Sequence, residues 1–443
     1  MNIGLAEHFT YKKLIKFTLP TIIMMIFTSI YGVVDGLFIS NVVKGDAFAS
    51  VNLIMPAIMM IGTIGFMIGT GGSAVISKTL GEGDVEKANR YFSMLVYLEI
   101  ILGVIFTIIG LIFLKPIAEL MGATEEMLPN CLTYGRILLL GITAFILQNS
   151  FQSFLVVAEK PGFGLLISII AGLTNIVLDF LFIYVFRWGV AGAASATITS
   201  QIVGAIIPLV YFIRKNKTPL KLGKTRFELS PIVKTCTNGS SEMVTNLSMS
   251  LVNILFNMKL MEIIGANGVT AYGIIMYVGF LFSGTYLGYS IGSAPIIGYH
   301  FGAGNKDELK SLLNKSIKLL GVVAIIMTLL SELFAGFLAN IFVSYDKELL
   351  DLTTTAIRLY SLSYIISWFN IYASSFFTAL NNGFVSALIS FLRTLVFQVI
   401  VILVLPKLVG INGIWLSVLV AEVLAFVVSI VCFIKNRKKY EYV

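Results

Sequence analysis

Apolar runs of roughly twenty residues recur along the whole chain, each long enough to cross a ~30 Å hydrocarbon core as a helix. They predict spans near residues 17–40, 51–77, 93–114, 131–157, 163–186, 190–213, 236–264, 270–299, 316–343, 354–380, 384–408 and 411–434. Runs this continuous are helical and lack the period-two alternation of barrel strands. The longest polar stretch, from about Arg214 to Lys234, leaves no room for a soluble domain. No small-residue cleavage site follows the first span, which reads as an uncleaved helix.

The connections alternate in charge. Most of the 31 basic residues fall in the N-terminus, the even-numbered loops and the C-terminus, Lys12, Lys78, Arg90, Arg214, Lys315 and Lys438 among them. The opposite loops hold only Lys44, Lys115, Arg187, Lys347 and Lys407. Lys and Arg accumulate on the cytoplasmic side, so a multi-pass protein of the cell membrane with both termini cytoplasmic is expected.

The second half repeats the first. Gly72-Ser73-Ala74 recurs as Gly292-Ser293-Ala294 at an offset of 220, each before a glycine turn, Gly81-Glu82-Gly83 or Gly302-Ala303-Gly304. At an offset of 221, Asn149 matches Asn370, Gly162-Phe163 matches Gly383-Phe384, and Gly189-Val190-Ala191-Gly192 matches Gly410-Ile411-Asn412-Gly413. With six spans in each half, both halves enter the membrane from the same side, as in parallel-repeat transporters. The predicted fold is an all-α integral membrane protein of twelve transmembrane helices. Two six-helix lobes, residues 1–216 and 235–443, are related by a pseudo-twofold axis along the membrane normal and joined by a basic cytoplasmic linker, 217–234.

Composition agrees: the 443 residues are 57% hydrophobic and 12% charged, with a mean hydropathy of +0.93, against roughly 25% charged in average soluble domains. The net charge of +8 lines one membrane face without interleaved aromatics, which points to anionic lipid as partner and away from nucleic acid. Cys131, Cys236 and Cys432 stand far apart and share no ligand spacing with His8 or His300, so neither disulfide nor zinc site is expected. The glycine turns lack the Lys-Ser/Thr of a phosphate loop and the preceding strand of a dinucleotide turn. They read as tight cytoplasmic turns. No catalytic constellation is present, no cofactor is expected, and the chain does not read as an enzyme.

An ionisable residue near the centre of a membrane helix costs about 2.5–3.5 kcal/mol on insertion scales, so each asks for a partner, a cavity or a function. Asp35 in the first span, Asp179 in the fifth and Thr197 in the sixth lie at similar depth, roughly 10 Å below the outer surface at ~1.5 Å per helical residue. Asn175 lies one turn from Asp179 on the same helix face. Two carboxylates, an amide and a hydroxyl supply hard oxygens for a small cation such as Na⁺, or a proton site. At an offset of 221, Asn175, Asp179 and Thr197 become Val396, Ile400 and Val418, so the second half lacks the set. A network serving architecture alone would be kept in both.

Ile30-Tyr31-Gly32-Val33-Val34-Asp35, Thr174-Asn175-Ile176-Val177-Leu178-Asp179 and Gly192-Ala193-Ala194-Ser195-Ala196-Thr197 together resemble the multidrug and toxic compound extrusion (MATE) family over essentially the whole chain. The resemblance implies export of varied, often cationic organic compounds, coupled to Na⁺ or H⁺ and carried out by alternating access between two lobes. It maps the amino-lobe cation site onto Asp35, Asn175, Asp179 and Thr197, and a helix-bending proline onto Pro20. Span ten, 354–380, lacks the acid that one branch of the family carries there, which places coupling in the amino lobe.

Antiport by a monomer acting on small organic molecules is therefore expected, with a flippase for a lipid-linked precursor as the alternative. Glu242, about eight residues inside span seven, either greets a cationic substrate or pairs with nearby polar groups. Arg393 and Glu422 are expected to pair, and Arg136 and Arg358 to snorkel. His300 reads as an interfacial cap. Glu99 and Glu332 have no evident partner.

Overall fold

Among the described residues, fifteen α-helices and two π-helical turns account for the apolar runs. A computed structural model describes residues 3–38 and 45–442, without the side chains of residues 33–38, 45, 46 and 48. The first half contains α1 (Tyr11–Phe38), α2 (Gly45–Gly81), α3 (Val85–Leu120), α4 (Leu128–Leu140), α5 (Ile142–Val157), α6 (Pro161–Asp179), a π turn (Phe180–Val185) and α7 (Gly189–Ile213). The second contains α8 (Leu229–Ile263), α9 (Ala266–Gly302), α10 (Lys306–Val343), α11 (Lys347–Ser361), α12 (Tyr364–Ala379), α13 (Gly383–Phe391), a second π turn (Leu392–Val396), α14 (Phe397–Val409) and α15 (Ile411–Tyr440). No strand occurs among the described residues.

Nine of the described helical segments are long and apolar enough to cross a membrane, ten with α4 and α5 taken as one span bent by 54°. This is a multi-pass membrane protein. The expected spans seven and ten correspond to α8 and to α11 with α12, helices rich in Ser, Thr and Asn.

Span four, read as one run, breaks at Gly141, where the Ile198 side chain of α7 fills the space a Cβ would take. Span ten breaks at the corresponding place, Leu362-Ser363. Both glycine turns have the same build: Gly83 and Gly304 adopt φ of 86° and 67°, a conformation glycine takes without steric cost. Asp84 and Asn305 then cap α3 and α10 by accepting the amides of Lys87 and Glu308.

Lipid tails are as apolar as leucine, so membrane helices associate where small residues let backbones approach. A Cβ on Gly81 of α2 would collide with the Tyr299 carbonyl of α9, and one on Gly302 of α9 with the Lys78 carbonyl of α2. Nearer the middle, Gly71 of α2 and Gly239 of α8 lie against the backbones of Thr235 and Met67. α1 passes unbroken through Pro20 and packs along α9, with Thr18, Ile22 and Ile26 against Gly292, Gly288 and Gly284. Contacts between the two halves therefore gather toward the end of the bundle that carries the chain termini. One buried core is shared there, joining Leu5, Phe9, Phe17 and Val156 to Leu309, Leu312 and Phe376.

Candidate functional site

Two polar regions interrupt the apolar bundle. The first lies on α6, whose buried face runs through Gly164, Ser168, Ala171, Gly172, Asn175 and Asp179, a helical period of small and polar residues. Gly172 lets α1 approach until Phe27 and Tyr31 would touch a Cβ there. Asp179 ends α6 fully buried, and the wider π turn begins at the next residue; such turns mark functional sites in many helices. α7 packs along α6, its Gly192 against the Phe182 carbonyl of that turn.

Asn175 is 2% exposed, and its Nδ2 has no hydrogen-bond partner among the described residues. Thr197 is half-buried on α7 and donates its hydroxyl to the Ala193 carbonyl at 3.0 Å, which leaves its oxygen lone pairs to accept. Asn175 and Asp179 thus share one buried face, on a helix packed against those of Thr197 and Asp35. The Asp35 side chain lies outside the described residues. No three His, Cys, Asp or Glu side chains converge among the described residues, so a cation held here would take mixed oxygen ligands.

The second region is a narrow pocket between the two halves of the chain. Hydroxyls line it: Thr70 and Ser73 of α2, Ser153 of α5, Ser290 of α9, and Ser375 and Thr378 of α12. Glu242 of α8 is its one carboxylate. The second π turn, which carries Arg393, packs against α8. The Gly72-Ser73-Ala74 repeat, a marker of duplication in the sequence, supplies Ser73 to the pocket, and its counterpart supplies Ala294. Serine spacing along α2, α9 and α12 was the available signal, but it becomes a pocket only when five helices meet.

Arg393 donates to Glu422 at 2.9 Å as expected, and the Asn370 amide adds a bond of 2.7 Å to the same carboxylate. Arg136 and Arg358 lie exposed on the bundle surface. Glu99 finds a partner in Ser150, at 2.8 Å, and Glu332 one in Ser361, at 2.9 Å. His300, read as an interfacial cap, lies in the last turn of α9 and is 3% exposed, beside the Glu7 backbone.

Apolar spanning helices, buried carboxylates and a hydroxyl-lined pocket between halves define a membrane transporter, and comparison with known proteins agrees. A family model, MatE, matches residues 20–181 and 242–404. The multidrug export protein MepA of Staphylococcus aureus is 24% identical over 433 residues, 96% of this chain and 94% of that protein. Its Staphylococcus haemolyticus counterpart is 26% identical over 438 residues, 97% of this chain and 95% of that protein. Among solved structures, a multidrug resistance MATE family transporter in an outward-facing conformation superposes with a TM-score of 0.90 at 25% identity, covering 98% of this chain and 97% of that one. A MOP superfamily transporter from Pyrococcus furiosus gives 0.87 at 25% identity over the same shares. The chain belongs to the MatE family; it is a transporter and not an enzyme.

Proposed function

We propose that the chain is a secondary active antiporter that exports organic, cationic compounds in exchange for Na⁺ or H⁺. The observation that supports this most is Asp179, fully buried in a membrane helix on one face with Asn175, beside the helices of Asp35 and Thr197. The coupling ion enters the amino lobe and binds at Asp35, Asn175, Asp179 and Thr197. Its binding favours release of substrate and reset of the carrier, with Pro20 the point at which α1 bends. Glu242 meets the cationic substrate in the hydroxyl-lined pocket. The relatives' names, multidrug export proteins, favour drug efflux over the flippase alternative.

The architecture behind this reading is six spans per lobe, residues 1–216 and 235–443, with 217–234 as linker. Spans seven and ten are α8 and the broken pair α11–α12, and the working unit is a monomer. Both termini are cytoplasmic, so the end sealed by α1, α2, α8 and α9 is the cytoplasmic one and the carrier faces outward. For one-for-one exchange of monovalent cations, each tenfold ion gradient supplies about 1.4 kcal/mol.

Ethidium efflux from proteoliposomes under an imposed Na⁺ or proton gradient tests the proposal. Wild type should export under one of the two gradients, and Asp179→Asn should lose that response. Equal export by the variant under both gradients would refute amino-lobe coupling.

A further inference from the structure

The segment before α1, residues 3–10, is attached to both halves of the bundle at the terminal end. A turn stiffens it: the Gly4 amide donates to Glu7 Oε1 at 2.9 Å, and Lys13 Nζ pairs with Glu7 Oε2 at 2.5 Å. At one end the Leu5 amide donates to Glu159 Oε1 at 2.8 Å. Glu159 stands in the α5–α6 turn of the first half, with φ of 60°. At the other end the Phe9 amide donates to Glu308 Oε1 at 2.9 Å, and His8 Nδ1 meets Glu308 Oε2 at 2.6 Å. Lys315 Nζ then donates to the Phe9 carbonyl at 2.5 Å. Glu308 and Lys315 both belong to α10, in the second half.

Side chains repeat the pattern. Leu5 is 1% exposed and Phe9 is fully buried, in a core that also contains Val156 of the first half and Leu309, Leu312 and Leu313 of the second. Beneath the segment lies buried His300, beside the Glu7 backbone and the Glu308 carboxylate. Parting the two halves at this end strips Leu5 and Phe9 of one wall of their core and breaks one of the two carboxylate contacts.

We propose that residues 3–10 are an interlobe clasp: Glu159 and Glu308 hold opposite ends of one strap across the cytoplasmic seam, and its release is a required step in opening the carrier to the cytoplasm. The inference rests on the two-lobe reading. A bridge differs from two local tethers in one respect. Residues 3–10 run on into α1 of the first half, so cutting the Glu308 end parts the strap from the second half, and cutting the Glu159 end as well adds nothing further.

The test is hydrogen–deuterium exchange of the full chain in lipid nanodiscs, comparing wild type with Glu159→Ala, Glu308→Ala and the double variant. Glu308→Ala should raise exchange at least fivefold in the peptides of α2 and α9 that hold Gly81 and Gly302, as well as in residues 3–10, and Glu159→Ala by less. The double variant should match Glu308→Ala within twofold. Glu308→Gln, which keeps an oxygen for the Phe9 amide, should retain most of the protection. Leu5→Asp, which alters the strap without touching a membrane helix, should reproduce the effect if an alanine variant does not fold. A rise confined to residues 3–10, or singles that multiply in the double variant, overturns the clasp. Failure of the two-lobe reading looks different: the α2 and α9 ends would then exchange independently of each other in wild type.

Discussion

Arg393 points its Nε–H between the two carboxylate oxygens of Glu422, 2.9 and 3.1 Å away, in the middle of the second half. Glu422 is 3% exposed and also receives the amide of Asn370, which in turn accepts the hydroxyl of Ser429 at 2.9 Å. The second π turn, which carries Arg393, packs against α8, the helix of Glu242.

Removing one member of such a pair leaves the other charge buried. Arg393→Ala should lower stability by about 3 kcal/mol, while the paired change Arg393→Met with Glu422→Gln should cost much less. Thermal unfolding in detergent measures both. Equal losses in the single and paired variants would show that packing, not charge, dominates there.

Glu242 is the one carboxylate among the pocket's lining residues. Glu242→Gln should raise the KM for ethidium about tenfold, equivalent to ~1.4 kcal/mol, and leave an uncharged dye of similar size unaffected. Efflux kinetics for both dyes decide the matter. An unchanged ethidium KM assigns Glu242 to polar contacts alone.

Asn175 contributes a buried amide one turn from Asp179. Asn175→Ala removes one hard oxygen and should raise the half-saturating concentration of the coupling ion about tenfold, with the substrate KM unchanged. Initial efflux rates across a series of Na⁺ concentrations and pH values give that constant.

The seal at the terminal end depends on two glycines. In Gly302→Ala the added methyl meets the Lys78 carbonyl, so the closed seam loses its fit. Ethidium efflux should fall at least tenfold, while the C-terminal halves of α3 and α10, remote from the contact, keep wild-type hydrogen exchange. Unimpaired efflux would mean that the seam opens and closes without this close approach.

The helices were legible because apolar runs and turn residues act locally. Gly83 and Gly304 stop their helices by their own conformational freedom, and Asp84 and Asn305 start the next ones, at positions 221 residues apart. The breaks at Gly141 and Leu362-Ser363 were missed, since no proline marks either of them, and at Gly141 the space a Cβ would take is filled by Ile198 of another helix. Half of the proposed amino-lobe site was also local: Asn175 and Asp179 share a face by helical period. Their approach to α1 and α7 depends on Gly172 and Gly192 admitting a neighbour.

The sequence alone determined that the chain crosses a membrane many times, that its second half repeats its first, and that the polar side chains of Asn175, Asp179 and Thr197 give way to Val396, Ile400 and Val418 in the second half. Each of these follows from composition or spacing along one strand of chain. Only the tertiary structure decided that Glu99 meets Ser150, that His300 is covered, that hydroxyls from α2, α5, α9 and α12 face Glu242, and that residues 3–10 join the two halves. Among apolar helices in an apolar solvent, hydrophobicity does not choose partners. Close backbone contact at small residues does, and it brings together groups hundreds of positions apart.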